Sequence, residues 1–160
     1  MRHLAAVLHT HNDGHRLGRC LETLYPCDEI LIVDQGSTDQ TLRIAREYGA
    51  KVIGANGKSG SAAYLTSRDA GWILCMDTRE SLTEGLAASL YEWKLQHGDY
   101  SDPNVLSLFF REETPLGWVE KPEAETRIVP RNWRRWNGQW PVAEDSSVAL
   151  EGRVLRFSFP

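Results

Sequence analysis

The segment at residues 30–39 constrains the fold of this chain more than any other segment. Its first four residues are apolar, which is long enough for one buried strand and too short for a typical helix. Asp34 stands where that strand ends, and Gly36 allows a tight turn after it. Ser37 and Gln40 then have the spacing of a helix capping box. A carboxylate at the carboxyl end of a parallel strand lies where open α/β sheets bind ligands, so the segment predicts a ligand site in an α/β fold.

The first hundred residues alternate between strand and helix patterns. Short apolar runs predict four strands, at residues 4–8, 30–33, 51–53 and 72–76. Apolar residues at helical spacing predict three helices, marked by Leu17, Leu21 and Leu24, by Leu42, Ala45 and Tyr48, and by Leu82, Leu86, Leu90 and Trp93. This alternation predicts a parallel sheet with helices on both of its sides.

Local signals place the ends of these helices. Gly49 follows the second helical pattern directly, where glycine commonly ends a helix. Ser81 and Glu84 have the spacing of a second capping box and predict the start of the third helix. A Gly/Ser-rich loop at residues 54–61 leads into a weak helical pattern at residues 62–65.

The pattern changes after about residue 98. Residues 105–111, 126–129 and 153–159 are strand-like, with loops between them and no clear helix. The sequence therefore predicts one α/β domain over residues 1–160, a Rossmann-like sandwich whose mostly parallel sheet is flanked by helices, with a β-rich C-terminal part. Within it, residues 1–98 form a nucleotide-binding half and residues 99–160 a β-rich substrate half.

Composition narrows the class of protein. A net charge of −4 and a pI near 5.7 argue against a dedicated nucleic-acid binder, which is normally basic. The three cysteines are odd in number and form no C-x-x-C pair, so a reducing compartment is expected rather than a disulfide framework. No signal-peptide core and no apolar run of roughly 18 residues is present. We expect a cytoplasmic protein, with room for peripheral contact at the inner face of a membrane.

Several motifs together resemble those of a known protein family. Residues 9–13, His-Thr-His-Asn-Asp, follow the first strand where that family has a loop like Pro-Thr-Tyr-Asn-Glu. Residues 33–39 match the family pattern Val-Asp-x-Gly-Ser-x-Asp at each specified position, and residues 41–53 and 72–77 continue the likeness. Residues 141–144 and 152–159 echo bacterial lipopolysaccharide-core transferases. The chain is thus similar to family 2 glycosyltransferases of the GT-A fold.

This resemblance implies inverting transfer of a sugar from a nucleotide-diphosphate sugar, such as a UDP-sugar, to a glycan or lipid-linked acceptor. It implies that Asp13 and Asp34 contact the base and ribose, while Asp39 supports their loop. An ionised carboxylate only accepts hydrogen bonds, so Asp34 suits the N–H of a uracil ring. The candidate nucleotide-sugar site comprises Thr10, Asn12, Asp13, Asp34, Gly36, Ser37, Asp39, Lys58, Asp77 and Arg79.

A simpler interpretation of these residues needs no ligand. Asp34 and Asp39 then cap the next helix and interact with its positive end. Lys58 and Arg68 are the cations nearest to the predicted site that could bind phosphate. Solvated surface positions are the alternative for both.

The segment Asp77-Thr-Arg-Glu80 departs from the family pattern. The family has a motif like Asp-Ala-Asp-Glu, whose second aspartate holds Mn²⁺ or Mg²⁺ against the diphosphate, and Arg79 stands at that position. These cations take oxygen ligands, and a guanidinium offers none. Arg79 could replace the cation through bidentate contacts to the diphosphate. Alternatively, the site has lost catalysis, or Asp77 and Glu80 share a weakly held metal.

A candidate base lies near the C-terminus. Inverting transfer needs a group that takes the proton of the acceptor hydroxyl as this hydroxyl attacks the anomeric carbon. Where the relatives have His-Glu, this chain has Ala143 and Glu144. Glu144 is the candidate base and Asp145 the next, and an ordinary exposed acidic turn is the alternative.

An arginine- and tryptophan-rich segment supports several functions. Residues 131–140 hold three of the six tryptophans among three arginines. Packing of a strand with arginines stacked on the indoles is one interpretation. A platform for a sugar or lipid-phosphate acceptor is the second, and binding of RNA or single-stranded DNA is the third.

The histidines near the N-terminus favour a different enzyme class. His9 and His11 after a first strand resemble the opening motif of metal-dependent phosphoesterases and amidohydrolases. That class needs further histidines and aspartates at later strand ends, and only His97 follows His15. His9 and His11 are explained more simply as parts of the nucleotide-binding loop.

Two classes of function therefore stay open at the level of sequence. One is an active glycosyltransferase. The other is a non-catalytic module of the same fold that binds a nucleotide sugar or partners an active transferase. Arg79, Ala143 and the short chain of 160 residues favour the second class, while the match of residues 33–39 favours both.

Overall fold

A computed structural model of the protein describes residues 1–96 and 105–160. Its helices are α1 (Gly14–Glu22), α2 (Thr41–Glu47) and α3 (Glu84–Leu95), and a 3₁₀ turn spans Ser61–Tyr64. Its strands are β1 (Leu4–Thr10), β2 (Glu29–Asp34), β3 (Lys51–Gly54), β4 (Trp72–Met76), β5 (Glu80–Leu82), β6 (Leu106–Thr114), β7 (Gly117–Glu120), β8 (Glu125–Pro130), β9 (Trp136–Asn137), β10 (Trp140–Pro141) and β11 (Val148–Arg156).

One sheet runs through both halves of the sequence. Its strand order is β3-β2-β1-β4-β8-β6-β11-β5, and β7 pairs with β6. The first four strands of this order are parallel. β8 is antiparallel to both β4 and β6, whereas β11 is parallel to β6. β9 and β10 form a separate antiparallel hairpin.

The strand directions bring the predicted site residues to one edge of the sheet, which we call the carboxyl edge. Thr10 is in register with Asp34 across the β1–β2 pair. Leu8 is in register with Met76 across the β1–β4 pair, so Asp77 follows at the same edge. β8 is antiparallel to both β4 and β6, so β6 runs in the same direction as β4. Because β11 is parallel to β6, both of these strands also end at this edge.

The side chains of β1 alternate between two apolar cores. Leu4, Ala6 and Leu8 belong to the core that includes residues of α1 and α3. Ala5 and Val7 belong to the second core, formed with the region of the 3₁₀ turn and the tryptophans of residues 133–140. Both faces of β1 are therefore covered, which explains why its sequence is a continuous apolar run.

The fold class predicted from the sequence is confirmed, and β1 to β4 and α1 to α3 lie near the predicted places. The prediction of helices on both sides of the sheet is wrong, because α1, α2 and α3 all pack into one core and the 3₁₀ turn and the tryptophans of residues 133–140 cover the other face. Two elements differ in detail. The weak helix predicted at residues 62–65 is a single 3₁₀ turn. The last strand begins and ends earlier than the predicted range of residues 153–159, because pairing with β6 starts at Val148.

Both predicted capping boxes are wrong. The Ser37 hydroxyl donates to Asp34 at 2.6 Å, and α2 begins only at Thr41. Thr83 caps α3 by accepting a hydrogen bond from the Leu86 N–H at 3.3 Å. Ser81 lies in β5 instead, because residues 80–82 are buried and pair with β11.

The cysteines and the helices bear on two further expectations. Cys20, Cys27 and Cys75 are free thiols. Burial raises the pKa of Cys75 to about 12, so this thiol is inert. Within residues 1–96 and 105–160, no helix combines the length and apolar character needed to cross a membrane.

Candidate functional site

Asp34 lies at the end of β2 with its carboxylate turned back on the surrounding chain. Its Oδ1 accepts hydrogen bonds from the hydroxyls of Thr10 and Ser37, each at 2.6 Å. Its Oδ2 accepts from the backbone N–H groups of Gly36 at 3.1 Å and Ser37 at 2.8 Å. A carboxylate offers about four lone-pair positions, so groups of the protein engage all of them.

These hydrogen bonds also set the ionisation of Asp34. Burial acts to raise the pKa of this carboxyl, but the hydrogen bonds from Ser37, Thr10 and Gly36 outweigh burial and hold the pKa below its usual range. Asp34 is therefore a carboxylate at neutral pH that shapes the turn after β2. A uracil N–H reaches it only by displacing or sharing one of these donors, so the base contact stays a prediction.

The turn after β1 is fastened to the turn after β2 through Asn12 and Asp39. Asn12 has a φ of 52°, in the left-handed region that asparagine tolerates better than most residues. Its Oδ1 accepts from the N–H groups of Thr38 at 2.8 Å and Asp39 at 3.3 Å. The Asp39 carboxylate in turn accepts from the Gly14 N–H at 3.0 Å. The two turns therefore form one hydrogen-bonded unit.

Asp13 strengthens the same unit from the start of α1. Its N–H donates to the Thr41 hydroxyl at 2.8 Å, and its carboxylate accepts from the His11 N–H at 2.9 Å. Its Oδ1 lies 3.9 Å from the Nε of Arg16. Seven of the predicted site residues are thus brought together at the carboxyl edge, namely Thr10, Asn12, Asp13, Asp34, Gly36, Ser37 and Asp39.

A pocket of about 650 Å³ opens beside these turns, and we call it the Lys58 pocket. The residues that line it include His9, Asp34, Gly36, Lys58, Tyr64 and Gln139. His9 meets Tyr64 edge to face, with 5.8 Å between the ring centroids, and burial lowers the pKa of His9. The Lys58 Nζ lies 6.0 Å from the centroid of the Tyr64 ring. The pocket therefore combines aromatic, amide and cationic groups.

A second pocket of about 440 Å³, which we call the Arg79 pocket, lies at the end of β4. The residues that line it include Asp77, Arg79, Glu80, Arg127, Trp140 and Arg156. Gln139 lines the Lys58 pocket and Trp140 lines the Arg79 pocket. The β9–β10 hairpin is therefore a wall shared by the two pockets.

Glu80 is fully buried at the base of the Arg79 pocket and is paired with two arginines. Its Oε1 accepts from Arg127 Nη1 at 2.8 Å and its Oε2 from Arg127 Nη2 at 2.9 Å. Arg156 donates to Oε2 from Nε at 3.0 Å and from Nη2 at 2.9 Å. The Asp77 N–H donates to Oε1 at 2.8 Å. A buried carboxylate needs such partners to offset its lost hydration.

Arg79 folds back on Asp77 at the mouth of this pocket. The Asp77 Oδ1 accepts from the backbone N–H of Arg79 at 2.9 Å and from its Nε at 3.0 Å. Burial acts to raise the pKa of Asp77, but the bonds from Arg79 outweigh it and the pKa is lowered. The Arg79 side chain is 48% exposed, and in the part of the chain that the structure describes its terminal amino groups make no hydrogen bond.

The carboxylates of the Arg79 pocket do not fit a divalent cation held by the protein. Mg²⁺ and Mn²⁺ take oxygen ligands in a nearly octahedral arrangement. Two guanidinium groups saturate Glu80, and Arg79 engages one oxygen of Asp77. Among residues 1–96 and 105–160, no group of three or more His, Cys, Asp or Glu side chains is placed to hold a metal ion. The interpretation in which Asp77 and Glu80 share a metal does not fit these contacts.

Glu144 and Asp145 lie on the connection between β10 and β11. The Glu144 Oε2 accepts a hydrogen bond from Arg135 Nη1 at 2.6 Å, and its Oε1 accepts from the Ser146 hydroxyl at 3.2 Å. Its chain neighbour Ala143 lines the Arg79 pocket, whereas the Glu144 side chain turns towards Arg135. Asp145 is exposed. The structure thus places Glu144 beside the pocket rather than in it.

The tryptophans of residues 131–140 pack against the second core. Trp133, Trp136 and Trp140 are partly buried there. Gly60, with a φ of 82°, lies so close to Trp136 that a Cβ atom would come within 2.7 Å of the indole. Packing is therefore established for this segment, and Trp140 additionally lines the Arg79 pocket.

Sequence reasoning missed the role of Arg127 and Arg156 as partners of Glu80. The signal was present for Arg127, a charged residue in a strand whose other central positions are buried. It was absent for Arg156, because β11 is mostly half-buried or exposed. Arginines are almost never fully buried unless they are paired. Glu123 was also missed. It lines the Arg79 pocket and, among the described residues, has no ion-pair partner.

A family model described as glycosyl transferase family 2 matches residues 6–99, which is more than half of the chain. The chain belongs to glycosyl transferase family 2. This membership overturns the interpretation of the histidines as a phosphoesterase motif. In this family 2 chain, His9 lines the Lys58 pocket and His11 Nδ1 lies 3.0 Å from the Gln35 carbonyl oxygen. His97 lies outside the described residues.

Curated relatives of this family 2 chain include longer proteins. An uncharacterized glycosyltransferase of Rickettsia felis is 36% identical over 92 residues, which cover 54% of the chain and 32% of the relative. The lipopolysaccharide core biosynthesis glycosyltransferase LpsC of Rhizobium meliloti is 44% identical over 45 residues, 28% of the chain and 17% of the relative. The chain spans about a third of the length of the Rickettsia relatives that it matches.

Solved structures share the fold of this family 2 chain. A mycobacterial protein aligns with 98% of the chain and 65% of its own length, with a TM-score of 0.62 and 16% identity. Glucosyl-3-phosphoglycerate synthase of Mycobacterium tuberculosis, in complex with Mn²⁺, UDP and phosphoglyceric acid, aligns with 82% of the chain and 57% of its own length, with a TM-score of 0.53 and 16% identity. These alignments bear on the fold alone, and the predicted GT-A-like fold is confirmed.

Proposed function

We propose that this chain binds a nucleotide-diphosphate sugar, namely a UDP-sugar, and transfers the sugar with inversion to a hydroxyl of a glycan or lipid-linked acceptor. The observation that carries the proposal is the pair of adjoining pockets at the carboxyl edge, which share the β9–β10 hairpin as a wall. A donor with a nucleoside at one end and a sugar diphosphate at the other matches two such pockets. A cytoplasmic location with peripheral contact to a membrane belongs to the same proposal.

The Lys58 pocket supports the nucleoside end of this donor. Its floor is the hydrogen-bonded unit of the first two turns, in which Asp34 and Asn12 use their polar atoms internally. A floor that is already hydrogen-bonded does not need to reorganise when a ligand binds, so less free energy is lost to ordering. His9, Tyr64 and Gln139 supply apolar and polar surface around it.

The Arg79 pocket supports the sugar diphosphate and the reaction. The acceptor oxygen forms a bond to the anomeric carbon while the bond from that carbon to the diphosphate oxygen breaks, and the diphosphate leaves with the electron pair. A base takes the acceptor proton. We assign this role to Glu144, with Asp145 as the second candidate. Glu144 serves as base after its carboxylate exchanges Arg135 for the acceptor hydroxyl, and Arg135 then stays beside it.

Calorimetric titration with UDP, UMP, GDP and ADP tests the binding half of the proposal. We expect UDP to bind more tightly than GDP and ADP, because the Lys58 pocket is bounded by Tyr64, Gln139 and the turn at Gly36. Asp34→Ala removes the acceptor of all four hydrogen bonds in the turn and should weaken UDP binding. Absence of binding to every nucleotide would contradict the proposal.

Release of UDP from a panel of UDP-sugars, with and without glycan and lipid-linked acceptors, tests the catalytic half. We expect Glu144→Gln to abolish acceptor-dependent release while leaving UDP affinity unchanged. Asp145→Asn tests the second candidate, which is exposed and next in the chain, and we expect it to keep activity. If Asp145→Asn lost activity and Glu144→Gln kept it, the roles assigned to the two residues would be reversed.

The second candidate function is a module that binds the nucleotide sugar without turnover. The observation that favours it is the engagement of both acidic candidates, since Arg79 holds Asp77 and Arg135 holds Glu144. Tight UDP binding without UDP release from any donor and acceptor pair would support this module. Acceptor-dependent release would exclude it.

A further inference from the structure

We propose that this chain holds the diphosphate of its donor with the guanidinium of Arg79, so that nucleotide binding needs no divalent cation. The inference rests on the function proposed above and specifies how the Arg79 pocket accommodates phosphate charge. It follows from which carboxylates of the pocket are engaged and which N–H groups are free.

Three of the four carboxylates that line the Arg79 pocket are already paired with arginines. Glu80 accepts hydrogen bonds from both Arg127 and Arg156 and is fully buried. Glu125 accepts from Arg156 Nη2 at 2.8 Å. The Asp77 Oδ1 accepts twice from Arg79. A divalent cation would have to displace guanidinium groups from these carboxylates. Without such an exchange, the second oxygen of Asp77 and the carboxylate of Glu123, which has no ion-pair partner among the described residues, are left to it, and these fall short of the nearly octahedral oxygen set that Mg²⁺ takes.

Arg79 differs from the other two arginines of the pocket in its unused donors. Arg127 uses both terminal nitrogens on Glu80 and on the Cys75 carbonyl oxygen. Arg156 uses both terminal nitrogens on carboxylates. Arg79 uses only Nε in this way. Among the described arginines that line this pocket, Arg79 therefore differs in having no hydrogen-bond partner for either terminal amino group.

The free end of Arg79 has the geometry that a phosphate requires. A planar guanidinium presents its terminal amino groups as a fork that matches two oxygens of a phosphate. Asp77 fixes the Nε side of the group at 3.0 Å, so the fork at the other end is oriented before a ligand arrives. Asp77 also raises the pKa of Arg79 through its hydrogen bond and charge, which keeps the guanidinium protonated. Asp77 acts here as a positioning residue.

Lys58 provides a second cation on the other side of the shared hairpin wall. It is exposed, lines the Lys58 pocket, and has no ion-pair partner among residues 1–96 and 105–160. The two pockets therefore each present one cation whose charge no carboxylate cancels completely. A ligand whose nucleoside sits in the Lys58 pocket and whose phosphates extend towards Arg79 would meet both cations.

Calorimetric titration of the wild-type chain with UDP, in buffers containing either Mn²⁺ or EDTA, tests the proposal. We expect dissociation constants that agree within about twofold in the two buffers. Arg79→Met should weaken UDP binding roughly 10- to 100-fold, the effect of losing charge-assisted hydrogen bonds, and leave uridine binding unchanged. Arg46→Met is the matched control, because Arg46 is exposed on α2 and lines neither pocket, and UDP should bind it as it binds the wild type.

Arg79→Asp gives the converse test, since it removes the fork and adds a second carboxylate near Asp77. We expect this variant to bind UDP weakly in EDTA and more tightly in Mn²⁺. UDP binding by the wild type only in Mn²⁺, or unchanged UDP affinity in Arg79→Met, would overturn the role of Arg79 and leave the proposed function standing. Failure of the wild type to bind both UDP and uridine in either buffer would overturn the proposed function as well.

Discussion

Replacing Glu80 by glutamine perturbs the centre of the Arg79 pocket with almost no change in shape. Glu80 accepts five hydrogen bonds, from the Asp77 N–H, from two nitrogens of Arg127 and from two nitrogens of Arg156. The amide keeps one oxygen and turns the other position into a donor. The two bonds to Oε1 are lost if the nitrogen takes that position, and the three bonds to Oε2 if it takes the other. In both cases the new N–H group faces a guanidinium N–H group.

The structure sets the size of the expected effect. Glu80 is fully buried and the Arg127 side chain is 5% exposed, so little water can replace the lost charge. Removing one partner of a buried ion pair costs about 3–5 kcal/mol because the other charge stays buried and uncompensated. We expect Glu80→Gln to lower the free energy of unfolding by about that amount.

Equilibrium urea denaturation, followed by circular dichroism and tryptophan fluorescence, measures this change. Glu47→Gln is the matched control, because it removes a carboxylate from the Arg43–Glu47 pair, whose side chains are 65% and 61% exposed. That pair joins residues one helical turn apart, and its loss should cost only about 0.3–0.5 kcal/mol. The m-values of both variants should match that of the wild type if unfolding stays two-state.

A double-mutant cycle separates pairing from simple loss of packing. In the cycle of Glu80→Gln with Arg127→Met, we expect a coupling energy of roughly 1–3 kcal/mol, because the second change removes the buried guanidinium whose close pairing with Glu80 the first one breaks. Additive effects of the two substitutions would refute the reasoning. So would a Glu80→Gln variant whose stability differs from that of the wild type by no more than Glu47→Gln does.

Two further predictions concern the turns and the packing of α3. Because the pKa of Asp34 is lowered in the folded state, its carboxylate stabilises the fold above its ordinary pKa of 3.8, and this contribution is lost as the pH falls through the folded-state value. In Asp34→Asn, the free energy of unfolding measured by denaturant titration should therefore fall less steeply as the pH is lowered from about 5 to 2. The same pH dependence as in the wild type would contradict the role given to the hydrogen bonds of Asp34. A Cβ on Gly152, where φ is 105°, would lie 2.5 Å from the Leu86 nitrogen, so Gly152→Ala should cost about 2–4 kcal/mol through strain and overpacking. Gly85→Ala in α3 is the control, because a Cβ there meets nothing within 4 Å and should stabilise the fold by about 0.5–1 kcal/mol. Similar melting temperatures for the two alanine variants would contradict the close approach of Gly152 to Leu86.

The first four strands and the three helices could be predicted because their signals are local. β1 and β4 are covered on both faces, so their sequences are continuous apolar runs. The acidic turn after β2 could also be located, because Asp34 ends an apolar run and Gly36 takes a φ of 81°. These features depend on neighbours in the chain, which the sequence displays directly.

The capping boxes failed because local spacing competed with contacts from elsewhere. Ser37 has the spacing of a cap, but its hydroxyl donates a hydrogen bond to Asp34, and α2 begins only at Thr41. Ser81 has the same spacing before α3, but pairing of Leu82 with Val154 draws residues 80–82 into the sheet. A rule based on the spacing of neighbouring residues cannot take account of a partner strand that lies far along the chain.

The partners of Glu80 could not be predicted for a related reason. Arg127 and Arg156 lie 47 and 76 residues further along the chain. Their meeting depends on the order β8-β6-β11-β5 and on the register of each pair. An arginine buried in a strand needs a partner, but only the folded sheet shows how far these arginines are buried and which carboxylate each one meets.

The Glu80 network also limits how this domain can be cut and recombined. The segment that matches the family, residues 6–99, contains Glu80, whereas Arg127 and Arg156 come from strands outside it. A chimera that kept this segment and exchanged the remaining strands would carry a buried negative charge without its counter-ions. Such a graft would succeed only if the new strands brought two arginines to the same depth, so the first hundred residues are not an interchangeable cassette.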